Sequence, residues 1–212
     1  MTEYFKLTDE NGETFNQTRW AIGTTHSGTG KGDLCGEGWI YVYTDPLLAV
    51  LLNSIHADFI RPRLFKGVGS GKAKSDDGLK VGVETFTATE ELPLPVVTTK
   101  QRVRFGILCA ISVYSEPNFV RWATAWLAGR DQSHEAAQTA VDAAWGTRTA
   151  ANVAEGAVWE VPWKAAWESA WAAAGLPWKA EVAANAAARA GTILCKPLDL
   201  VALAKEAMRV GE

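Results

Sequence analysis

Two short stretches combine several glycines with a lysine, and such stretches can bind an anion. They span residues 27–32, with the sequence SGTGKG, and residues 67–72, with the sequence GVGSGK. Successive backbone N–H groups in glycine-rich turns can converge on one anion, and lysine adds positive charge. Neither stretch has P-loop spacing, because Thr29 stands where that motif requires lysine. The alternatives are a pair of flexible hairpin loops, or an anion site with candidate ligand-binding residues Gly28, Gly30, Lys31, Gly69, Gly71 and Lys72.

A ladder of tryptophans recurs at every fourth position between residues 159 and 171. Residues four apart lie on one face of a helix, so the indoles form a single ridge. The ridge either fills space between alanine-rich helices, stacks on a nucleotide base, or anchors a helix at a membrane interface. The mixed charges of Glu160, Lys164 and Glu168 disfavour the membrane alternative. The candidate ligand-binding tryptophans are Trp39, Trp163 and Trp167.

The cysteines and histidines are spaced too far apart to indicate a metal site or a disulfide framework. They are Cys35, Cys109, Cys195, His26, His56 and His134. Separated, unpaired thiols are typical of a reducing cytosolic compartment. We therefore predict no metal, no cofactor and a cytoplasmic location. Cys109 lies in an apolar run and is expected to be a small buried hydrophobe.

The composition excludes several classes of protein. The hydrophobic share of 48% and the charged share of 21% are those of a folded globular chain. The net charge is −3, and neither half has a basic excess, so no nucleic-acid partner is expected. The N-terminus lacks a signal-peptide pattern, and no apolar run approaches the ~20 residues of a membrane span. No membrane association is expected.

The first half of the chain is rich in strand-forming residues and glycine. Asp45 followed by Pro46 predicts the start of a helix. Residues 103–114 fit either a buried strand or a buried helix, and their alanine, leucine and following helical context favour a helix. A polar loop is predicted over residues 70–78. The predicted strands span residues 3–8, 14–23, 34–43 and 79–87.

The second half is alanine-rich, with 28 alanines after residue 118 and only 6 before it. Eight of the ten tryptophans lie in residues 122–178, which indicates helices of small residues with bulky aromatic edges. Gly146 and Gly191 are interpreted as helix ends. We predict an α+β fold: a small mixed β-sheet domain with one helix in residues 1–114, and an antiparallel helical array packed on it in residues 115–212. The predicted helices of the array span residues 117–128, 133–145, 149–157, 162–174, 177–190 and 197–209.

Two segments resemble a family of uncharacterised proteins found mostly in bacteriophages and prophages. One is LCGEGWIYVYTDP at residues 34–46, and the other is WATAWLAGRD at residues 122–131. Members often have histidine where this chain has Ile40, so any role of that histidine is absent. The shared motifs are structural. The resemblance implies an accessory protein acting in the host cytoplasm, without specifying an activity.

The segment GWIYVYTDPLLAV at residues 38–50 also looks like the NAD-binding half of ADP-ribosyltransferase-like folds. Such enzymes usually carry His or Arg on the first strand and Glu on a late strand, where this chain offers Lys6 and Glu84. This likeness implies, as an alternative, a transferase that uses NAD. Its functional residues would be Lys6, Tyr41, Thr44 and Glu84; otherwise the segment is a structural strand-to-helix turn.

Three functions are therefore considered. The first, which we predict, is a phage-encoded non-enzymatic binding protein with a counter-defence role, whose partner is a host protein or a small nucleotide. The second is an ADP-ribosyltransferase-like enzyme. The third is a structural or assembly protein that forms a homo-oligomer.

Overall fold

The computed structural model describes residues 2–34, 36–154 and 160–209, and the fold is α+β, as predicted. The chain divides into two compact units, Met1–Val96 and Val97–Glu212. The first unit holds the strands, and the second is helical throughout its described elements. The division falls before the predicted boundary at residue 114, because the helix formed by residues 99–113 contacts other helices of the second unit.

The N-terminal unit is built on antiparallel strand pairs. β1, β6, β7 and β4 pair in that order, β5 also pairs with β7, and β2 pairs with β3. All the described pairs are antiparallel, so the sheet is not mixed as predicted. The two longest strands are joined by a tight turn, which only antiparallel neighbours allow. The strands are β1 Thr2–Thr8, β2 Glu13–Thr14, β3 Thr18–Arg19, β4 Thr25–Ser27, β5 Ile40–Val42, β6 Arg63–Asp76 and β7 Lys80–Leu92.

The second glycine-rich stretch, residues 67–72, lies inside β6 and is not a flexible loop. Most of the predicted loop at 70–78 is likewise strand. Gly67 leaves room for an aromatic ring, since a Cβ there would lie 2.5 Å from Cζ of Phe86. Gly71 has a φ of 77°, where the register with β7 shifts. These glycines therefore allow close packing and a bulge in a continuous strand.

A single bridge closes the sheet on itself. Tyr43, directly after β5, exchanges backbone hydrogen bonds of 2.9 and 2.7 Å with Phe5 of β1. The path from β1 through β6, β7 and β5 therefore returns to β1. One buried cluster in the core of this unit is formed by Tyr4, Trp20, Val42, Phe65, Val81, Val83, Phe86 and Ala88.

A helical segment follows β5 and begins where the sequence predicted. The Asp45 carboxylate accepts a hydrogen bond of 2.9 Å from the Leu47 N–H, which caps helix α1, Pro46–Leu51. A short helix, α2, continues over Asn53–His56. The strand predicted over residues 34–43 is limited to β5, because the glycine-rich chain before it forms turns.

The second unit consists of helices, and the preference for helix over residues 103–114 is confirmed. Helix α3 begins at a capping box in which Thr98 and Gln101 satisfy each other's backbone N–H groups. Small residues allow close approach, since a Cβ on Gly106 would lie 2.8 Å from Cα of Ala180. None of the described helices is both long and apolar enough to cross a membrane. The helices are α3 Thr99–Val113, α4 Pro117–Leu127, α5 His134–Ala154, α6 Glu160–Ala173, α7 Lys179–Ile193 and α8 Leu200–Met208.

Two predicted helix ends are wrong. Gly146 lies inside α5, where no neighbouring group crowds it. Gly191 lies inside α7, and a Cβ there would lie 2.6 Å from the carbonyl oxygen of Lys196. Glycine therefore marks a close contact at this second position and not a helix end. The helix predicted over residues 149–157 continues α5 as far as residue 154, and its remainder lies outside the described residues.

Candidate functional site

A cavity of about 510 Å³ lies in the N-terminal unit. Its size is within the range of sites that hold small organic molecules. Closure of the sheet between β1 and β5 brings together segments that are far apart in the sequence. The lining residues are Lys6, Leu7, Asp9, Glu13, Thr14, Phe15, Gln17, Tyr41, Tyr43, His56, Ala57, Phe59 and Lys80.

Lys6 lines this cavity although only 6% of the residue is exposed. Its Nζ donates a hydrogen bond of 3.0 Å to the carbonyl oxygen of Tyr41 and lies 4.7 Å from the ring centroid of Trp20. No carboxylate in the described part of the chain forms an ion pair with it. Burial without a counter-charge lowers the pKa of Lys6 to about 7. A neutral amine, which is both a nucleophile and a base, is therefore well populated at neutral pH.

Tyr43 and His56 form a second polar pair in the cavity wall. The Tyr43 hydroxyl and His56 Nδ1 share a hydrogen bond of 3.0 Å, and the two rings stack with centroids 5.8 Å apart. Burial raises the pKa of the Tyr43 phenol, so the hydroxyl keeps its proton at neutral pH. This pair places a phenol hydroxyl and an imidazole nitrogen side by side in the cavity wall.

The acidic residues of the cavity wall are held by local structure. Asp9 Oδ1 accepts hydrogen bonds from the N–H groups of Asn11 and Glu13, at 2.9 and 2.7 Å, and so shapes the turn after β1. The Glu13 carboxylate lies 3.5 Å from the guanidinium of Arg19. Neither carboxylate therefore serves as the counter-ion of Lys6.

A second lysine and several aromatic rings complete the wall. Lys80 Nζ lies 5.0 Å from the ring centroid of Tyr41 and 3.9 Å from an Asp76 carboxylate oxygen. The cavity thus offers one cation near its aromatic surface in addition to the buried amine. Aromatic walls with a few polar groups are typical of small-molecule sites.

The rim of the cavity carries Phe15, which is 87% exposed, next to two residues in the left-handed backbone region. These are Asn16, with φ 60°, and Gln17, with φ 56°. On the other segment, Asp58 has φ 53° and precedes Phe59, another lining residue. Such conformations are uncommon for non-glycine residues, cost on the order of 1 kcal/mol, and occur in tight turns as well as at ligand-binding sites. The exposed aromatic group is consistent with a lip that contacts a bound molecule.

The two glycine–lysine stretches meet at a different place, around the carboxylate of Glu84. The Lys72 N–H donates a hydrogen bond of 3.0 Å to Glu84 Oε2. A Cβ on Gly30 or on Gly71 would lie 3.0 or 2.7 Å from the same oxygen. The anion in this nest is therefore a side chain of the protein itself. Lys31 and Lys72 are exposed, while Gly28 and Gly69 pack against backbone and the Tyr4 ring, respectively.

The structure separates the residues named for a transferase. Lys6 and Tyr41 line the cavity together, whereas Thr44 and Glu84 are not among its lining residues. Trp39 is buried, and its indole N–H donates a hydrogen bond of 3.2 Å to the carbonyl oxygen of Gly32. Its ring therefore supports the first glycine-rich turn.

The described tryptophans of the ladder lie on α6 of the helical unit and pack towards α5. Trp163 and Trp167 stack on each other with centroids 5.7 Å apart, and Trp163 donates a hydrogen bond to the carbonyl oxygen of Ala144. The ring of Trp145 contacts the rings of both Trp163 and Trp167, and Trp145 remains 48% exposed. Trp167 and Trp171 pack against the buried residues Ala140, Val141 and Ala170. This packing favours the interpretation of the ridge as core; Trp159 lies outside the described residues.

The thiols offer no reactive centre in the described residues. Cys109 is fully buried, and burial raises the pKa of its thiol. Cys195 is exposed, and Cys35 lies outside the described residues. Across residues 2–34, 36–154 and 160–209, no group of three or more histidine, cysteine or acidic side chains is arranged to hold a metal ion.

Comparison of the chain with family models, with curated proteins and with solved structures finds no match in any of the three. The phage-family resemblance and the transferase likeness therefore stay predictions.

Sequence reasoning named Lys6 and Tyr41, but only through the transferase likeness, and it missed most of the cavity. Tyr43, His56 and Phe15 come from separate segments, and His56 has no chemical partner near it in the sequence. The sequence feature that could have indicated the cavity was Lys6, a charged residue between Phe5 and Leu7 in an apolar strand. A lysine in such a position must be paired, exposed or functional.

Proposed function

We propose that the chain is a binding protein whose N-terminal unit holds a small organic molecule in the cavity beside Lys6. The observation that carries this proposal is a buried lysine without an ion-pair partner in a cavity of about 510 Å³. Keeping such an amine buried is unfavourable, and functional sites are where this cost is commonly tolerated.

The wall chemistry supports a ligand with an aromatic body and an anionic or polar end. Tyr41, Phe15 and Phe59 supply aromatic surface, and Lys80, which also lies 3.9 Å from an Asp76 carboxylate oxygen, supplies N–H donors for a polar end. A mononucleotide is one molecule of this class, which agrees with the host signal expected of a phage accessory protein. In that setting the protein would sequester its ligand.

The experiment is a thermal-shift and calorimetric screen with mononucleotides and small aromatic acids. Ala57 lines the cavity and is exposed, so Ala57→Trp should fill the site without disturbing the core. Ala73, an exposed residue of β6 that is not among the lining residues, provides the matched control Ala73→Trp. Binding that is lost in the first variant and kept in the second supports the proposal. Absence of binding by every compound, or equal binding by both variants, contradicts it.

A further inference from the structure

We infer that Lys6 is a nucleophile that captures the carbonyl group of a small aromatic aldehyde or ketone in the cavity as an imine. This inference rests on the proposed function, because the compound must first bind there. It goes further by assigning a covalent reaction and a class of ligand.

Burial of Lys6 without a carboxylate partner among the described residues favours the neutral amine. One acceptor, the Tyr41 carbonyl oxygen, lies 3.0 Å from Nζ, and the face of Trp20 lies 4.7 Å away. Both contacts are made by the N–H groups of the amine. They therefore leave the nitrogen lone pair available. Lys6 is the only lysine classed as buried among those that the structure describes. Exposed lysines keep their proton at neutral pH and are poor nucleophiles.

The cavity also supplies a group that can move the required protons. The lone pair of the Lys6 amine attacks the carbonyl carbon, a C–N bond forms, and the C=O π electrons move to oxygen. A proton passes from nitrogen to that oxygen, giving a carbinolamine. Protonation of its hydroxyl and loss of water leave a protonated C=N bond, which loses its N–H proton to solvent, so that amine and carbonyl give imine and water without oxidation or reduction. The imidazole of His56, hydrogen-bonded to Tyr43, lines the same cavity and is a group that can relay these protons.

The wall selects the class of carbonyl compound. Aromatic side chains at Phe15, Tyr41 and Phe59 favour a flat ring, and the Lys80 ammonium, which also lies 3.9 Å from an Asp76 carboxylate oxygen, has N–H groups that can donate to a carboxylate on that ring. A benzaldehyde with a carboxylate opposite the aldehyde has both features. Its alcohol, in which CH₂OH replaces CHO, binds by the same contacts but cannot form an imine.

The test uses 4-formylbenzoate as the probe, with borohydride reduction of the full-length protein and peptide mass mapping. We expect the added mass at Lys6 to exceed that at any exposed lysine by at least about tenfold at neutral pH, because its neutral fraction is much larger. The label should be absent in Lys6→Met, kept in Lys72→Met, and reduced by excess 4-(hydroxymethyl)benzoate. Denatured wild-type protein should lose the preference, which keeps the test valid even if Lys6→Met folds poorly.

The outcomes separate this inference from the proposed function. Labelling spread evenly over exposed lysines overturns the imine chemistry. If the alcohol binds in the cavity and the aldehyde does not label Lys6, the binding function stands and this inference fails. If neither compound binds but the nucleotide screen succeeds, the aromatic-aldehyde class is wrong; if every compound fails, both proposals fall.

Discussion

Nζ of Lys6 lies 3.0 Å from the carbonyl oxygen of Tyr41, and this hydrogen bond takes the place of an ion pair. A carbonyl dipole compensates a buried positive charge much less than a carboxylate would. The amine is therefore kept beside the cavity at a cost to folding whenever it carries its proton. That cost makes stability depend on pH in a defined direction.

We expect Lys6→Met to stabilise the protein most at about pH 6 and progressively less as pH rises. The folded-state pKa of Lys6 is lowered from 10.5 to about 7. Between these values the unfolded chain binds more protons than the folded one, so wild-type stability rises with pH. The contribution of one such group is at most about 1.4 kcal/mol per pH unit. Below pH 7 both states are protonated, and the full penalty remains.

Urea denaturation of wild type and Lys6→Met at a series of pH values checks this expectation. Other titrating groups are common to both proteins, so the difference in unfolding free energy isolates Lys6. Lys72→Met, which removes an exposed lysine outside the cavity, controls for the loss of one positive charge. A difference between wild type and Lys6→Met that stays constant with pH would show that the amine is not desolvated.

Alanine substitutions at two helical glycines should have opposite signs. Gly106→Ala places a methyl group 2.8 Å from Cα of Ala180, so α3 and α7 must separate, and we expect destabilisation of about 2 kcal/mol. Gly146 has open space around it, and Gly146→Ala should stabilise α5 by about 0.5–1 kcal/mol through helix propensity alone. Chemical denaturation of the two variants provides the measurement. A stabilising effect of Gly106→Ala would mean that α3 and α7 are not in close contact.

Local sequence patterns predicted those helices whose formation depends on residues close in the sequence. The Asp45–Pro46 helix start and the helix over residues 103–114 depend on caps and composition within a few residues, and both are confirmed. The glycines of β6 were misread because their cause is distant in sequence: a Cβ on Gly69 would lie 2.6 Å from the ring of Tyr4. Glycine favours loops, but tertiary contact overrides that preference here.

The cavity could not be predicted for the same reason. Its lining runs from residue 6 to residue 80, and its members meet only because Tyr43 bridges to Phe5. The lysine in an apolar strand was visible in the sequence, but its missing counter-ion was not. Likewise, the two glycine–lysine stretches meet around the carboxylate of Glu84, a distant residue that their own sequences could not indicate.

The tryptophans of the helical unit should differ sharply in their contribution to stability. Trp167 contacts three other indoles and the buried alanines between α5 and α6, so Trp167→Ala should cost about 3 kcal/mol. Trp178 is 52% exposed, and Trp178→Ala should cost less than about 1 kcal/mol. Urea denaturation followed by far-ultraviolet circular dichroism avoids reliance on tryptophan fluorescence. Similar costs for the two variants would contradict the assignment of the ladder to the core.

The ion pair between Arg102 and Glu181 links α3 to α7, and its removal should be costly. Glu181 is 2% exposed and accepts a hydrogen bond from the Arg102 guanidinium. Glu181→Ala leaves a partly buried cation without this partner, and we expect a loss of about 2–3 kcal/mol. In Glu10→Ala, an exposed pair with Arg61 is lost, and the cost should stay below about 1 kcal/mol. Denaturation at low and high salt distinguishes them, because salt screens the exposed pair far more than the buried one. A small, salt-sensitive effect of Glu181→Ala would show that water reaches the junction of α3 and α7.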